Sequence, residues 1–302
     1  MSQPAAIQRA STSEGIEIAY ETFGRASDPP VLLIMGLGTQ MLGWPDGFCR
    51  ELAERGTFVV RFDNRDVGLS THLHDAPRPD PVAAWSGNLS SASYTLSDMA
   101  ADTLAVLDTL GFDSAHVVGA SMGGMIAQTL ALEHPERVRS LTSIMSSTGD
   151  AKVGQSTQAA MAVLMAPPVG SRPEAMDRAV ANYRVIGSPA YPLDEEALRE
   201  RAGLSYDRAY DPFGVGRQLV AILASGDRTE RLRDIRVPTL VIHGEQDPLV
   251  HVSGGRATAA AIPGAELVVI DGMGHDLPKE LWSAIADRVE ALVKRSADSA
   301  RS

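Results

Sequence analysis

Short apolar runs alternate with helix-like stretches along this chain, and that alternation restricts the fold more than any other feature. Residues 16–23, 31–35, 57–62, 116–119, 141–145, 239–243 and 266–270 are apolar or β-branched and bounded by Gly, Pro, Asn or Asp, the pattern of strands. Between and after them the spacing predicts helices. One opens at Ser97, places Ala100, Leu104, Leu107 and Leu110 on one face and stops at Gly111; others cover 122–132 and 281–293, the last followed by a frayed Ser/Ala/Asp/Arg tail. Strand, helix, strand in this rhythm predicts an α/β fold, a mostly parallel sheet with helices on both faces.

The stretch 147–234 breaks the rhythm. It shows no strand pattern, holds Pro167, Pro168, Pro173, Pro189, Pro192 and Pro212, and carries helix-like pieces at 157–165 and 194–204. It reads as a helical cap inserted between two strands of one sheet, with 1–146 and 235–302 forming the core. Its eleven basic and twelve acidic residues nearly cancel, so they give no reason to expect a charged substrate.

Composition narrows the function. With 302 residues and 44% hydrophobic content the chain can bury a sizeable core. Lys plus Arg number 27 against 38 Asp plus Glu, and the net charge of −11 argues against nucleic acid and anionic membrane surfaces as partners. The four arginines of 228–236 form no basic patch, because Glu230 and Asp234 interrupt them. Cys49, the single cysteine, cannot close an internal disulfide and falls in a helix-like stretch where packing is expected. Nowhere do eighteen apolar residues follow one another, and the polar opening 1–13 lacks a targeting pattern, so a soluble cytoplasmic protein is expected.

Gly119-Ala120-Ser121-Met122-Gly123 sits where a predicted buried strand meets a predicted helix. A sharp strand-to-helix turn lifts a serine hydroxyl clear of the sheet, and small residues two before and two after avoid clashes in that strained turn. A serine hydroxyl needs a neighbouring base, usually a histidine oriented by a carboxylate. Downstream, Asp247 follows the strand 239–243, and His275 follows the strand 266–270 in a glycine-rich loop. Both loops leave the carboxyl ends of their strands, the edge from which Ser121 projects and where open parallel sheets hold ligands. Glu245 is the nearest substitute for Asp247. His275 is preferred over His72, His74, His116, His134, His243 and His251, since it alone joins a late strand end to a glycine-rich loop. The backbone N–H groups of Met122 and Leu37 are the candidate oxyanion donors. His72-Leu73-His74 offers two imidazoles but no third ligand at suitable spacing, so it reads as a solvated loop and no metal is expected. Trp44, Met161 and Met165 are candidate pocket residues, with Leu164, Tyr183, Tyr191 and Tyr206 near them in the same reading.

Through Val31–Gly36, Gly43–Asp46, Arg61–Ser70, His116–Gly124, Pro238–Gly244 and Gly272–His275 the chain resembles the α/β-hydrolase superfamily over nearly its whole length. It is similar to the ester-hydrolase branch that includes aclacinomycin methylesterase. The resemblance implies a triad of Ser121, Asp247 and His275, an oxyanion hole from Leu37 and Met122, a helical cap and no cofactor. Two positions depart from the superfamily: Met35 stands where many relatives have histidine, and Asp66 replaces the first glycine of the usual Asp-x-Arg-Gly-x-Gly pattern, in which Asp63, Arg65 and Gly68 read as structural loop residues. The expected activity is a serine carboxylesterase acting on a small-molecule ester. A lactonase, a polyketide methylesterase or a perhydrolase could use the same three residues, and a non-catalytic small-molecule-binding module is the rival from another class.

Overall fold

The computed structural model describes residues 7–299, and the sheet it contains has eight strands. In chain order these are β1 (Gln8–Ser11), β2 (Glu17–Phe23), β3 (Pro30–Ile34), β4 (Phe58–Phe62), β5 (Ala115–Ala120), β6 (Val138–Ile144), β7 (Thr239–Gly244) and β8 (Glu266–Ile270). Their spatial order is β1-β2-β4-β3-β5-β6-β7-β8, antiparallel at β1–β2 and β2–β4 and parallel from β4 onward. β1 lies in the opening segment that reads as merely polar; four residues with one buried side chain are too short a pattern to stand out. The first six residues and the last three, with the end of the predicted tail, lie outside the described residues.

Strands β3, β4, β5 and β7 are buried at every position because both faces of the sheet are covered. Leu32, Ile34, Val117 and Leu141 pack against helices Leu96–Leu110 and Met122–Glu133. Val31, Leu33, Val118 and Ile144 point the other way, toward helices Asp46–Glu54 and Trp282–Ser299. Burying one such aliphatic side chain contributes about 1.5–3 kcal/mol relative to leaving it in water. Helix Leu96–Leu110 is capped by Thr95, two residues before the expected Ser97: Thr95 and Asp98 form a reciprocal capping box, and Gly111 ends the helix at φ 75°. The final helix runs to Ser299, past the expected stop near 293.

Between β6 and β7 the chain leaves the sheet and forms helices Gln158–Leu164, Arg172–Ile186, Glu195–Arg208, Pro212–Ser225 and Thr229–Leu232. Four of the five begin with a side-chain cap, from Thr157, Ser171, Asp194 and Asp211, each accepting a backbone N–H of its first turn. Among the described residues no helix is long and apolar enough to cross a membrane.

Candidate active site

Ser121 occupies the single residue between β5 and helix Met122–Glu133, at φ 55° and ψ −121°. This left-handed backbone disfavours an L side chain and persists only when its surroundings hold it. Ser121 N–H donates to the Ile144 carbonyl at 2.9 Å. The flanking glycines are forced by close approach: a Cβ on Gly119 would lie 2.1 Å from the Gly123 carbonyl oxygen, and one on Gly123 would lie 2.1 Å from that of Ile34. The serine thus stands at the carboxyl end of the central strands.

Loops from two other strands converge on it. His275 Nε2 lies 3.0 Å from Ser121 Oγ, and His275 Nδ1 lies 2.7 Å from Asp247 Oδ2. A carboxylate only accepts, so Nδ1 carries the ring proton and Nε2 presents its lone pair to the serine hydroxyl. Asp247 Oδ1 accepts the N–H groups of Leu249 and Val250, both at 2.9 Å. Burial alone would raise the Asp247 carboxyl; the facing His275 and the hydrogen bonds from His243 and His275 outweigh it and hold the group well below the usual carboxylate range. Glu245, the weighed substitute, is exposed and pairs with Arg256 instead.

The loop after β3 closes the site. Gly36 packs on the serine so tightly that a Cβ there would sit 3.0 Å from Ser121 Cβ. The next residue, Leu37, and Met122 at the helix start have backbone N–H groups with no acceptor among the described residues. Both are free to donate to an oxygen developing charge beside Ser121. Two side chains hold this loop: Asn64 Nδ2 donates to the Met35 carbonyl at 2.9 Å, and Gln218 Oε1 accepts the Gly38 N–H at 2.8 Å. Gln218, fully buried, also donates from Nε2 to the Arg65 carbonyl at 2.7 Å.

A cavity of about 600 Å³ opens between this loop and the inserted helices, with Leu37, Leu164, Met165, Tyr206, Val215 and Leu219 in its wall. Arg178 and Arg201 are the arginines of that wall. Met165, just after helix Gln158–Leu164, lines this cavity, whereas Met161, within that helix, is not part of its lining. Trp44 is a correction. It is fully buried, stacked on Phe48 at 5.7 Å in the core beneath helix Asp46–Glu54, because its apolar ring is worth more there than at a wet rim. Cys49 shares that core, and burial pushes its thiol up to about 12, which removes it as a nucleophile.

Asp66 explains its own departure from the glycine pattern. Its φ of 69° is a conformation glycine adopts freely, and the aspartate is held there by Arg217, Tyr94 and the Leu73 N–H, all at 2.8 Å. Asp63 likewise binds the Met41 and Leu69 N–H groups and Arg208, while Arg65 pairs with Asp102, so both organise the loop.

Sequence reasoning misses the residues that brace the site from a distance. His243, wholly buried at the end of β7, donates to the Val250 carbonyl at 2.7 Å and stands 3.5 Å from Asp247. Its only signal is a histidine inside an apolar strand. The His275 loop rests on the insertion: His275 N–H donates to the Ile186 carbonyl at 2.7 Å and Gly274 N–H to Ser188 Oγ at 2.9 Å. A lone serine after a helix gives no such warning. Gln218 does give one, since with Arg217 it interrupts an apolar helical run. The solvated-loop reading of His72 fails as well, since its side chain is only 13% exposed and touches Asp211, 139 residues downstream.

Comparison with known proteins places this geometry. The sequence matches the family described as alpha/beta hydrolase fold over residues 29–183 and 188–280. It is 31% identical over 299 residues to the rhodomycin D methylesterase DauP of Streptomyces sp. strain C5, covering 92% of this chain and 95% of that protein. It is 28% identical over 284 residues to 3-oxoadipate enol-lactonase 2 of Acinetobacter baylyi, covering 94% and 96%. Among solved structures, a hydrolase from Pseudomonas aeruginosa PA01 superposes with a TM-score of 0.71 at 26% identity, covering 97% of this chain and 98% of the other.

Proposed function

The chain belongs to the α/β-hydrolase fold family, and from that premise we propose that it hydrolyses carboxylic esters through an acyl-enzyme on Ser121. The observation that carries the reading is the unbroken contact chain from Ser121 Oγ through His275 to Asp247, at 3.0 and 2.7 Å. His275 Nε2 takes the hydroxyl proton as Oγ attacks the ester carbon, and Asp247 stabilises the imidazolium that results. The tetrahedral oxyanion is held by the N–H groups of Leu37 and Met122; losing one such donor typically costs about 3–4 kcal/mol of transition-state stabilisation. The imidazolium then protonates the departing alkoxide. Water, deprotonated by the same nitrogen, attacks the acyl carbon and frees the acid.

The cavity of about 600 Å³ beside Leu37 accommodates a bulky acyl portion. That space and the similarity to a rhodomycin D methylesterase support methyl esters of large ring systems as the substrate class. A lactone is the second reading, favoured by the similarity to an enol-lactonase: ring opening gives the same acyl-enzyme with the alcohol still attached. Hydrolysis rates across p-nitrophenyl esters of rising chain length, methyl esters of polycyclic acids and lactones discriminate these classes. Ser121→Ala should lower turnover by about a millionfold, and a fluorophosphonate probe should label Ser121. Folded protein that neither turns over nor takes the label is a binding module, and the proposal is then wrong.

A further inference from the structure

His72 and His74 take no part in ester hydrolysis, yet both turn toward one carboxylate oxygen. His72 Nε2 lies 3.0 Å from the Gly68 carbonyl, which only accepts, so that nitrogen carries the ring proton. The ring's other nitrogen, Nδ1, faces Asp211 Oδ2 at 3.0 Å, an oxygen that also only accepts. That contact calls for a positive centre between the two atoms, a second ring proton or a metal ion. His74 Nδ1 stands 3.8 Å from the same Oδ2, and the three candidate ligand atoms all lie within 4.8 Å of one another. In a tetrahedral site with ligand bonds of about 2.0–2.1 Å, ligand atoms are about 3.3 Å apart. The observed 3.0 and 3.8 Å bracket that spacing. The two rings stack at 5.5 Å, and the His74 side chain is 75% exposed, so its ring can swing the remaining fraction without disturbing packing.

The local charge favours a cation. Arg217 binds both Asp66 and Asp211, including Asp211 Oδ2 at 3.0 Å, so among the described residues two carboxylates share one guanidinium. Asp211 Oδ1 is already fixed by the Phe213 and Gly214 N–H groups, so Oδ2 is held in place for the imidazoles. We propose that His72, His74 and Asp211 bind one divalent transition-metal ion of the Zn²⁺, Co²⁺ or Ni²⁺ kind. Imidazole nitrogens with a carboxylate oxygen are the donor set that such ions prefer. The bound ion ties the loop after β4 to the start of helix Pro212–Ser225 in the insertion. His72 and Asp211 also line the large cavity, so the ion would brace its wall.

The test uses full-length protein without a histidine tag, freed of metal by chelation and titrated calorimetrically with ZnCl₂, with CoCl₂ absorbance as a second readout. One equivalent should bind with a Kd below about 10 μM. His74→Ala should weaken binding at least about tenfold while leaving ester hydrolysis unchanged. Zn²⁺ should raise the melting temperature of the wild type and not that of His74→Ala. No saturable binding, as when a proton alone bridges His72 and Asp211, overturns the proposal. Equal binding by wild type and His74→Ala overturns it too, since the ion then sits elsewhere. His72→Gln is the second variant, and because His74 is exposed the first does not depend on its folding.

Discussion

Replacing Asp247 by Asn tests the orientation of His275 through hydrogen-bond geometry alone. In the wild type both carboxylate oxygens accept: Oδ1 from the N–H groups of Leu249 and Val250, and Oδ2 from His275 Nδ1. Asparagine has one oxygen and one NH₂. With the oxygen facing the two backbone donors, the NH₂ faces His275 and donates to Nδ1, which moves the ring proton to Nε2. The nitrogen beside Ser121 then cannot take a proton. The flipped amide restores the productive tautomer but leaves two backbone N–H groups facing NH₂. At about 1–3 kcal/mol for each unsatisfied group, the flip costs about 2–6 kcal/mol. At about 1.36 kcal/mol per tenfold, that gap alone lowers the competent fraction by roughly 30-fold to roughly 25,000-fold. The negative charge beside the developing imidazolium is also lost, so kcat/KM should fall by about 10⁴. The measurement is kcat/KM for a p-nitrophenyl ester at pH 7, with a thermal melt to show that the fold is kept. A folded Asn variant within tenfold of the wild type would refute the argument that Asp247 fixes the histidine tautomer.

Two further outcomes follow from the structure. Gly119→Ala drives a Cβ to 2.1 Å from the Gly123 carbonyl oxygen and should cost about 1–3 kcal/mol or more with loss of activity. Gly56→Ala, which meets nothing within 4 Å and strains only its φ of 82°, should keep full activity; equal losses in both by chemical denaturation and rate assays would contradict the steric account. Burial and the nearby Arg139 push the His116 ring down from 6.5 to about 4, so it folds neutral. Below pH about 6.5 the unfolded chain binds a proton that the folded chain does not. Its contribution to stability is therefore intact above that pH and lost as pH falls toward 4, at about 1.4 kcal/mol per unit and roughly 3 kcal/mol in all. His116→Asn should flatten that acid limb in urea midpoints taken between pH 7 and pH 4.5, and an unchanged slope would show that other groups cause it.

Much of the candidate site is readable along the chain because its signals are local. The Gly119–Gly123 turn, the loop of Asp247 and the loop of His275 each lie within a few residues of an apolar run that fixes where the strand ends. The positions that the sequence misplaces, or leaves unmarked, depend on partners far away. Gln218 holds Gly38 across 180 residues, Ser188 holds Gly274 across 86, and Asp211 reaches His72 across 139. Trp44 could serve the pocket or the core by composition alone, and only the packing of Phe48 and its neighbours puts it in the core.

Local pattern along the chain is enough to read the parallel sheet and the strand-to-helix turn at Ser121, and it puts Asp247 and His275 on loops at the same sheet edge. Periodicity and turn chemistry act over a few residues and need no knowledge of the rest. It is folding that sets which polar groups hold the loop after β3, which wall Met165 lines, and that two histidines share a carboxylate with the insertion. Hydrogen bonds and packing act through a few ångströms of space, and sequence distance does not encode that space until the chain has folded.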